Sequence, residues 1–293
     1  MKLCILTSIP ELYLWRDGLY NALGILGQEW DIDIYLDHER PTSVKKYDMV
    51  IGWGAFQSPE ANYVAELPST VKKGLFFAAG HGQEDPLIHK FDIIFAEDKH
   101  SLHRLLELGG NARLAFGINA EIFNPDREEL VNQPVLFDVF HPGAYALWKR
   151  KELFAEVAKG KKALSVGILQ EIEREEHFAC QKAGVMTLPN VPQEFMPWYY
   201  ASAKCVAITG WAGSQRTVLE ALAMNKQCII PTDAPQLLDY SKNVIVVTPT
   251  IRNFRDAIDV APKDNPEGQA DVFKNWTEVD YANSIKEGVE SVC

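Results

Sequence analysis

Residues 191–233, VPQEFMPWYYASAKCVAITGWAGSQRTVLEALAMNKQCIIPTD, gather the groups in this chain best suited to bind a phosphorylated ligand. An apolar strand expected over 205–210 runs into Gly213 and Ser214. A helix expected over 214–224 follows, and a second strand over 227–232 ends at Thr232 and Asp233. The first turn of a helix presents N–H groups without intrahelical acceptors and the positive end of the macrodipole. The backbone of Gly213, Ser214, Gln215, Arg216 and Thr217 therefore suits a phosphate. Two turns into that helix, Glu220 could accept hydrogen bonds from vicinal ribose hydroxyls, as a carboxylate does in dinucleotide folds. In that role its loss should weaken nucleotide binding and leave folding little affected. The other reading is a solvated glutamate on an amphipathic helix.

Lys149, Arg150 and Lys151 form a second group, at the start of a helix expected over 149–158. Basic residues oppose the dipole at a helix N-terminus, so a nearby anion would account for them; a solvated face is the alternative. His81 lies between Gly80 and Gly82 after a strand expected over 74–79. Its imidazole could hydrogen-bond and position a substrate, or be merely structural. His38, His89, His100 and His103 show no ligand spacing and read as surface or helix residues. The five cysteines, at 4, 180, 205, 228 and 293, show no metal spacing either. Cys4, Cys205 and Cys228 lie in apolar runs, where cysteine acts as a small hydrophobe.

Twelve strand-like runs must position these groups. They are expected over 2–7, 31–36, 47–53, 74–79, 92–97 and 112–118, then over 135–140, 162–168, 185–189, 205–210, 227–232 and 244–248. Helical periodicity fills the gaps, most clearly at 101–108, 149–158, 171–182 and 214–224. This alternation predicts parallel sheets with helices on both faces. Two sheets are favoured over one, because strongly twisted open sheets rarely pass about ten strands. An eight-stranded barrel fits the strand count poorly. The polar run NPDREELVNQ at 124–133 breaks the periodicity and is the expected linker. The expected domains are 1–126, joined by a C-terminal helix over 276–293, and 127–275.

A net charge of −11 opposes broad attachment to nucleic acid or anionic lipid. With 47% hydrophobic and 24% charged residues, the composition is that of a soluble globular protein. No apolar run has the length of a membrane span. The opening MKLCILTSIPELYLW reads as a first strand, with Glu11 and Arg16 arriving too soon for a signal peptide. A cytoplasmic location is expected.

The order of parts in 191–233 resembles the donor-binding half of glycosyltransferases with the GT-B fold, particularly the retaining family 4. Segment 91–125 resembles the stretch that closes the first domain in this family, with Gly117-Ile118-Asn119 and Phe123-Asn124-Pro125 standing where its closing motifs stand. The resemblance is good from about residue 74 onward and poor before it, where Thr7-Ser8-Ile9-Pro10 replaces a glycine pair. It implies two Rossmann-like domains facing each other across a cleft, and metal-independent transfer of a sugar with retention. The donor would be a nucleoside-diphosphate sugar, UDP- or GDP-linked, with its base near Val191. The acceptor could be a glycan, a lipid-linked sugar, a small molecule or a modified DNA base. By the same resemblance a lysine opening the helix after 143 clamps the diphosphate. Lys151 matches it by its spacing to Leu153 and Phe154, with Lys149 the other choice. Arg150 could replace a family arginine whose position holds Ala144. His81 would contact the sugar or the acceptor. A family glutamate that binds the donor sugar is replaced by Ala212. A nucleotide-sugar epimerase and a non-catalytic nucleotide-sugar binder are the alternatives.

Overall fold

A computed structural model describes residues 1–8, 18–36, 39–78, 86–169 and 174–293. His38 and His81 lie outside the described residues. The chain divides into two compact units, Met1–Asn119 with Trp276–Cys293, and Ala120–Asn275. Segment 124–133 falls within the second unit, whose first residue precedes the expected boundary. There Leu130 is buried and the Arg127 guanidinium donates to the Ile122 carbonyl at 2.9 Å.

The first unit is built on six parallel strands: β1 Lys2–Leu6, β2 Asp31–Tyr35, β3 Met49–Gly54, β4 Lys72–Phe77, β5 Ile93–Ala96 and β6 Ala112–Leu114. Their order is β2-β1-β3-β4-β5-β6. Cys4 is opposite Asp33 on one side and Val50 on the other, and Gly74 is opposite Ile51. Strands such as MVIGWG are apolar at successive positions because both faces of a parallel sheet are covered. On one face Val50, Leu75, Phe77 and Ile94 pack with Ala61 and Val64 of helix Pro59–Glu66 and Leu105 of helix Lys99–Glu107.

The C-terminal helix Glu278–Glu290 belongs to this unit. Thr277 and Asp280 form a reciprocal capping box at its start. Three backbone segments stack there without room for side chains. A Cβ on Gly117 would overlap the Thr277 carbonyl, and one on Gly18 would overlap the carbonyl of Gly117. Ile118 and Thr277 form a parallel bridge. The glycine of Gly117-Ile118-Asn119 thus admits the returning chain.

The second unit contains β7 Phe137–Pro142, β8 Ala163–Gly167, β9 Met186–Pro189, β10 Ala203–Ala207, β11 Gln227–Pro231 and β12 Ile245–Val247. These strands are also parallel, in the order β12-β11-β10-β7-β8-β9. Read from the other edge, this is the arrangement of dinucleotide-binding sheets, in which the winding direction reverses between the first and fourth strands. Val139, Phe154, Val157, Cys180, Cys205, Ile229 and Phe254 form its core. Among the described residues no helix is long and apolar enough to cross a membrane.

Candidate functional site

In an open α/β sheet a ligand usually lies in the crevice at the C-terminal ends of the strands where the winding reverses, here β7 and β10. After β7 the chain turns at Gly143, makes a short 3-10 turn over Leu147–Lys149, and enters helix Lys151–Ala158 through Arg150. Arg150 has φ 50°, the left-handed region, which is uncommon outside glycine. After β10 the chain reaches Gly213 at φ 60° and Ser214 at φ 96°, then helix Gln215–Ala223. The two loops touch through backbone. Trp211 N–H donates to the Trp148 carbonyl at 3.1 Å, and a Cβ on Gly210 would come within 2.7 Å of that same oxygen.

This contact brings Lys149 to the helix start. Its Nζ donates to Ser214 Oγ at 2.8 Å and to the Ala212 carbonyl at 3.0 Å, and the residue is 9% exposed. Helix Gln215–Ala223 has no acidic residue in its first turn, and Ser214 makes no side-chain cap. Instead the Thr217 hydroxyl donates back to the Ser214 carbonyl at 2.7 Å. A cation beside the positive end of a helix dipole is an arrangement that an anion between them would stabilise. Gln215 is buried and Arg216 half-buried on the same turn.

Glu220 is 2% exposed, so it is not a solvated surface carboxylate. Its Oε1 accepts from Gln193 Nε2 and its Oε2 from the Tyr200 hydroxyl, both at 2.7 Å. Tyr200 is fully buried, edge-on to Phe140 and Phe123 at 5.0 and 5.9 Å. Burial, then the Glu220 charge, hold its phenol far above the usual range. Glu220 therefore also serves the fold, contrary to the expectation that its loss would leave folding little affected. Gln193 and Tyr200 could not be singled out from the sequence, because only the fold brings them to Glu220. Nearby, Asn190 at φ 57° donates its N–H to the Gly167 carbonyl and accepts from Leu169 N–H, which fixes the turn before Val191.

The structure does not bring Lys151 to this crevice. Lys151 is 0% exposed; its Nζ lies 2.9 Å from His141 Nδ1, 2.8 Å from Ser165 Oγ and 4.6 Å from the Tyr145 ring centroid. The anion that the basic cluster called for is internal. Glu176, from the neighbouring helix Arg174–Lys182, accepts the Glu152 N–H at 3.2 Å and so occupies the helix N-terminus. Lys149, the other choice, is the lysine at the loop. Arg150 makes a two-pronged pair with Asp233, at 3.0 and 2.6 Å, and lies 5.0 Å over the Trp211 ring.

Burial above all, with the charge of Lys149 acting in the same sense, lowers the Lys151 ammonium from its ordinary 10.5 to about 7. The fold thus holds a neutral amine above about pH 7, while the unfolded chain stays protonated up to 10.5. Unfolding takes up a proton in that window, so stability rises with pH there. Lys151→Met is expected to remove this part of the slope in urea unfolding series across the window. Parallel slopes for the two proteins would show that Lys151 stays charged.

No protein-family model and no curated protein matches the chain. Solved structures match it over nearly its whole length. A sucrose-phosphate synthase from Thermosynechococcus elongatus is 12% identical with a TM-score of 0.76, over 99% of both chains. A glycosyltransferase from Rickettsia africae is 15% identical with a TM-score of 0.73, over 99% of this chain and 98% of that one. HepE from Anabaena, in complex with UDP-glucose, is 15% identical with a TM-score of 0.72, over 99% of this chain and 100% of that one. The fold is that of the GT-B glycosyltransferases.

Proposed function

We propose that this chain is a glycosyltransferase that uses a nucleoside-diphosphate sugar and transfers the sugar with retention. The observation that carries the reading is the Lys149 ammonium, held 2.8 Å from Ser214 Oγ at the start of helix Gln215–Ala223. In this reading the diphosphate lies against Lys149 and the backbone of residues 213–217, the ribose at Glu220, and the base near Val191. Lys149 stabilises the negative charge that builds on the departing diphosphate. The UDP-glucose bound by HepE supports a UDP-linked donor. Ala212 offers its carbonyl to Lys149 and no carboxylate to a sugar, so the reading places sugar recognition elsewhere.

A thermal-shift series with UDP, GDP, ADP and TDP tests it, because a ligand that binds only the native state raises stability through linkage. One nucleoside diphosphate should raise the melting temperature in a saturable way; no response to any of the four contradicts the reading. For the cognate nucleotide, incubation of its sugar conjugate with candidate acceptors, followed by NMR of the anomeric proton, separates transfer with retention from hydrolysis or epimerisation.

Glu220 should show its two roles separately. Glu220→Gln keeps an acceptor for Tyr200, and is expected to weaken nucleotide binding by about 1–2 kcal/mol through loss of charge. Glu220→Ala also leaves the buried Tyr200 hydroxyl only the distant Thr217 carbonyl, at 3.4 Å, and is expected to lower stability by roughly 1–3 kcal/mol. Calorimetry and urea unfolding read the two effects; equal behaviour of the two variants in both assays would remove the distinction.

A further inference from the structure

One buried row of polar side chains in the second unit has no direct place at the crevice. Lys151 Nζ lies 2.9 Å from His141 Nδ1. His141 Nε2 lies 2.9 Å from Thr209 Oγ1. Thr209 Oγ1 lies 2.9 Å from the Lys149 carbonyl and 3.0 Å from that of Arg150. All three side chains are fully buried.

Carbonyls only accept, so the Thr209 hydroxyl donates to them and must accept from His141. His141 Nε2 then carries the ring proton, and Nδ1 is left to accept from the Lys151 amine. Every donor in the row points one way, from the core toward the backbone of Lys149 and Arg150. His141 is held neutral as this requires, its pKa pushed well below the usual range by burial and then by Lys151.

We propose that Thr209, His141 and Lys151 are positioning residues that fix the backbone at Lys149 and Arg150, and so set the Lys149 ammonium at the start of helix Gln215–Ala223. The proposal rests on the diphosphate reading above only for the ligand, not for the positioning. Polar groups of this kind are costly in a core, where apolar residues of similar volume often do as well or better for stability. What the row supplies is a rigid hold on a strained turn. Arg150 takes the left-handed conformation without being glycine, and its carbonyl and that of Lys149 share one hydroxyl donor. The loop that carries the cation is therefore held from beneath, by the ends of β7 and β10, as well as by Ser214 and Ala212 from above.

Two readouts test this, on wild type, Thr209→Val, Thr209→Ser and Lys151→Met. The first is the acetylation rate of Lys149 with an amine-acylating reagent, measured by peptide mass spectrometry. Thr209→Val keeps the volume but removes the hydroxyl, and the rate should rise several-fold as Nζ leaves Ser214 and Ala212. Thr209→Ser should restore the slow rate, and Lys151→Met should raise it in the same sense. The second readout is calorimetry with UDP and UMP. Thr209→Val should cut UDP affinity about tenfold, the order expected for one displaced charge-assisted contact, while UMP affinity changes less. A general loss of structure would weaken both equally and would not be rescued by serine.

An unchanged Lys149 acetylation rate in a folded Thr209→Val protein overturns the proposal. Should that variant fail to fold, an unchanged rate in folded Lys151→Met overturns it equally. A wild type that binds no nucleoside diphosphate would refute the proposed function, and the acetylation readout would still decide this inference.

Discussion

Gly167→Ala is expected to unfold the second unit or bring it close to unfolding. Gly167 ends β8, and a Cβ there would overlap the carbonyl oxygen and carbon of Gly143 and come within 3.1 Å of Ala144 N. All three atoms are backbone, so no side chain can rotate away. Relief requires the turn after β7, which leads into the Lys149 loop, to move. Destabilisations above about 4 kcal/mol come from a short list of mechanisms, and a forced backbone overlap of this kind belongs with them. Against a total stability of about 5–15 kcal/mol, that is most of the margin. Gly24→Ala is the control, because a Cβ on Gly24 meets nothing within 4 Å and the residue is inside helix Gly18–Leu26. It should be neutral or stabilising by up to about 1 kcal/mol. Urea unfolding followed by tryptophan fluorescence compares the two. A Gly167→Ala protein with a wild-type midpoint would mean that the loop after β7 does not lie where described.

Lys149→Met should have the largest effect on ligand binding. It removes the ammonium held on Ser214 Oγ and the Ala212 carbonyl and keeps an unbranched chain of similar length. A hydrogen bond to a charged group contributes about 1.5–3 kcal/mol, so nucleoside-diphosphate affinity should fall by roughly 10- to 150-fold. Lys151→Met should lower affinity much less, because Lys151 acts only through the backbone beneath the loop. Calorimetric titration of the cognate nucleotide with both proteins decides. If Lys151→Met loses the greater affinity, the assignment of roles to the two lysines is reversed.

The strands were legible because parallel sheets bury both faces. Runs such as LCIL, GLFF and CIIP stay apolar where an exposed sheet would alternate, and polar breaks punctuate them; Lys72 and Lys73, which open β4, are outside the expected run over 74–79. The choice between Lys149 and Lys151 was not legible by the same means. Periodicity over 149–158 merged a 3-10 turn with the helix, which begins only at Lys151 after a left-handed Arg150. The carboxylate that caps this helix comes from Glu176, 24 residues beyond the amide it accepts. No local pattern reports a contact of that kind. The burial of Glu220 was not legible, because Leu219, Leu222 and Ala223 suggest a one-sided stripe on an amphipathic helix. In the structure every residue from Val218 to Ala223 is buried. The shortage of charge in QRTVLEALA was the available sign. His141 and Thr209 stand at strand ends in an otherwise apolar context, and only the sheet order brings them together.

A crystal structure of the protein with UDP bound is the most direct test of the central claim. The claim predicts diphosphate oxygens within hydrogen-bonding distance of Lys149 Nζ and of backbone N–H groups in residues 213–217, with a ribose hydroxyl on the Glu220 carboxylate. A nucleotide bound on another surface, with Lys149 Nζ still held by Ser214 and Ala212 and no phosphate beside it, would contradict it.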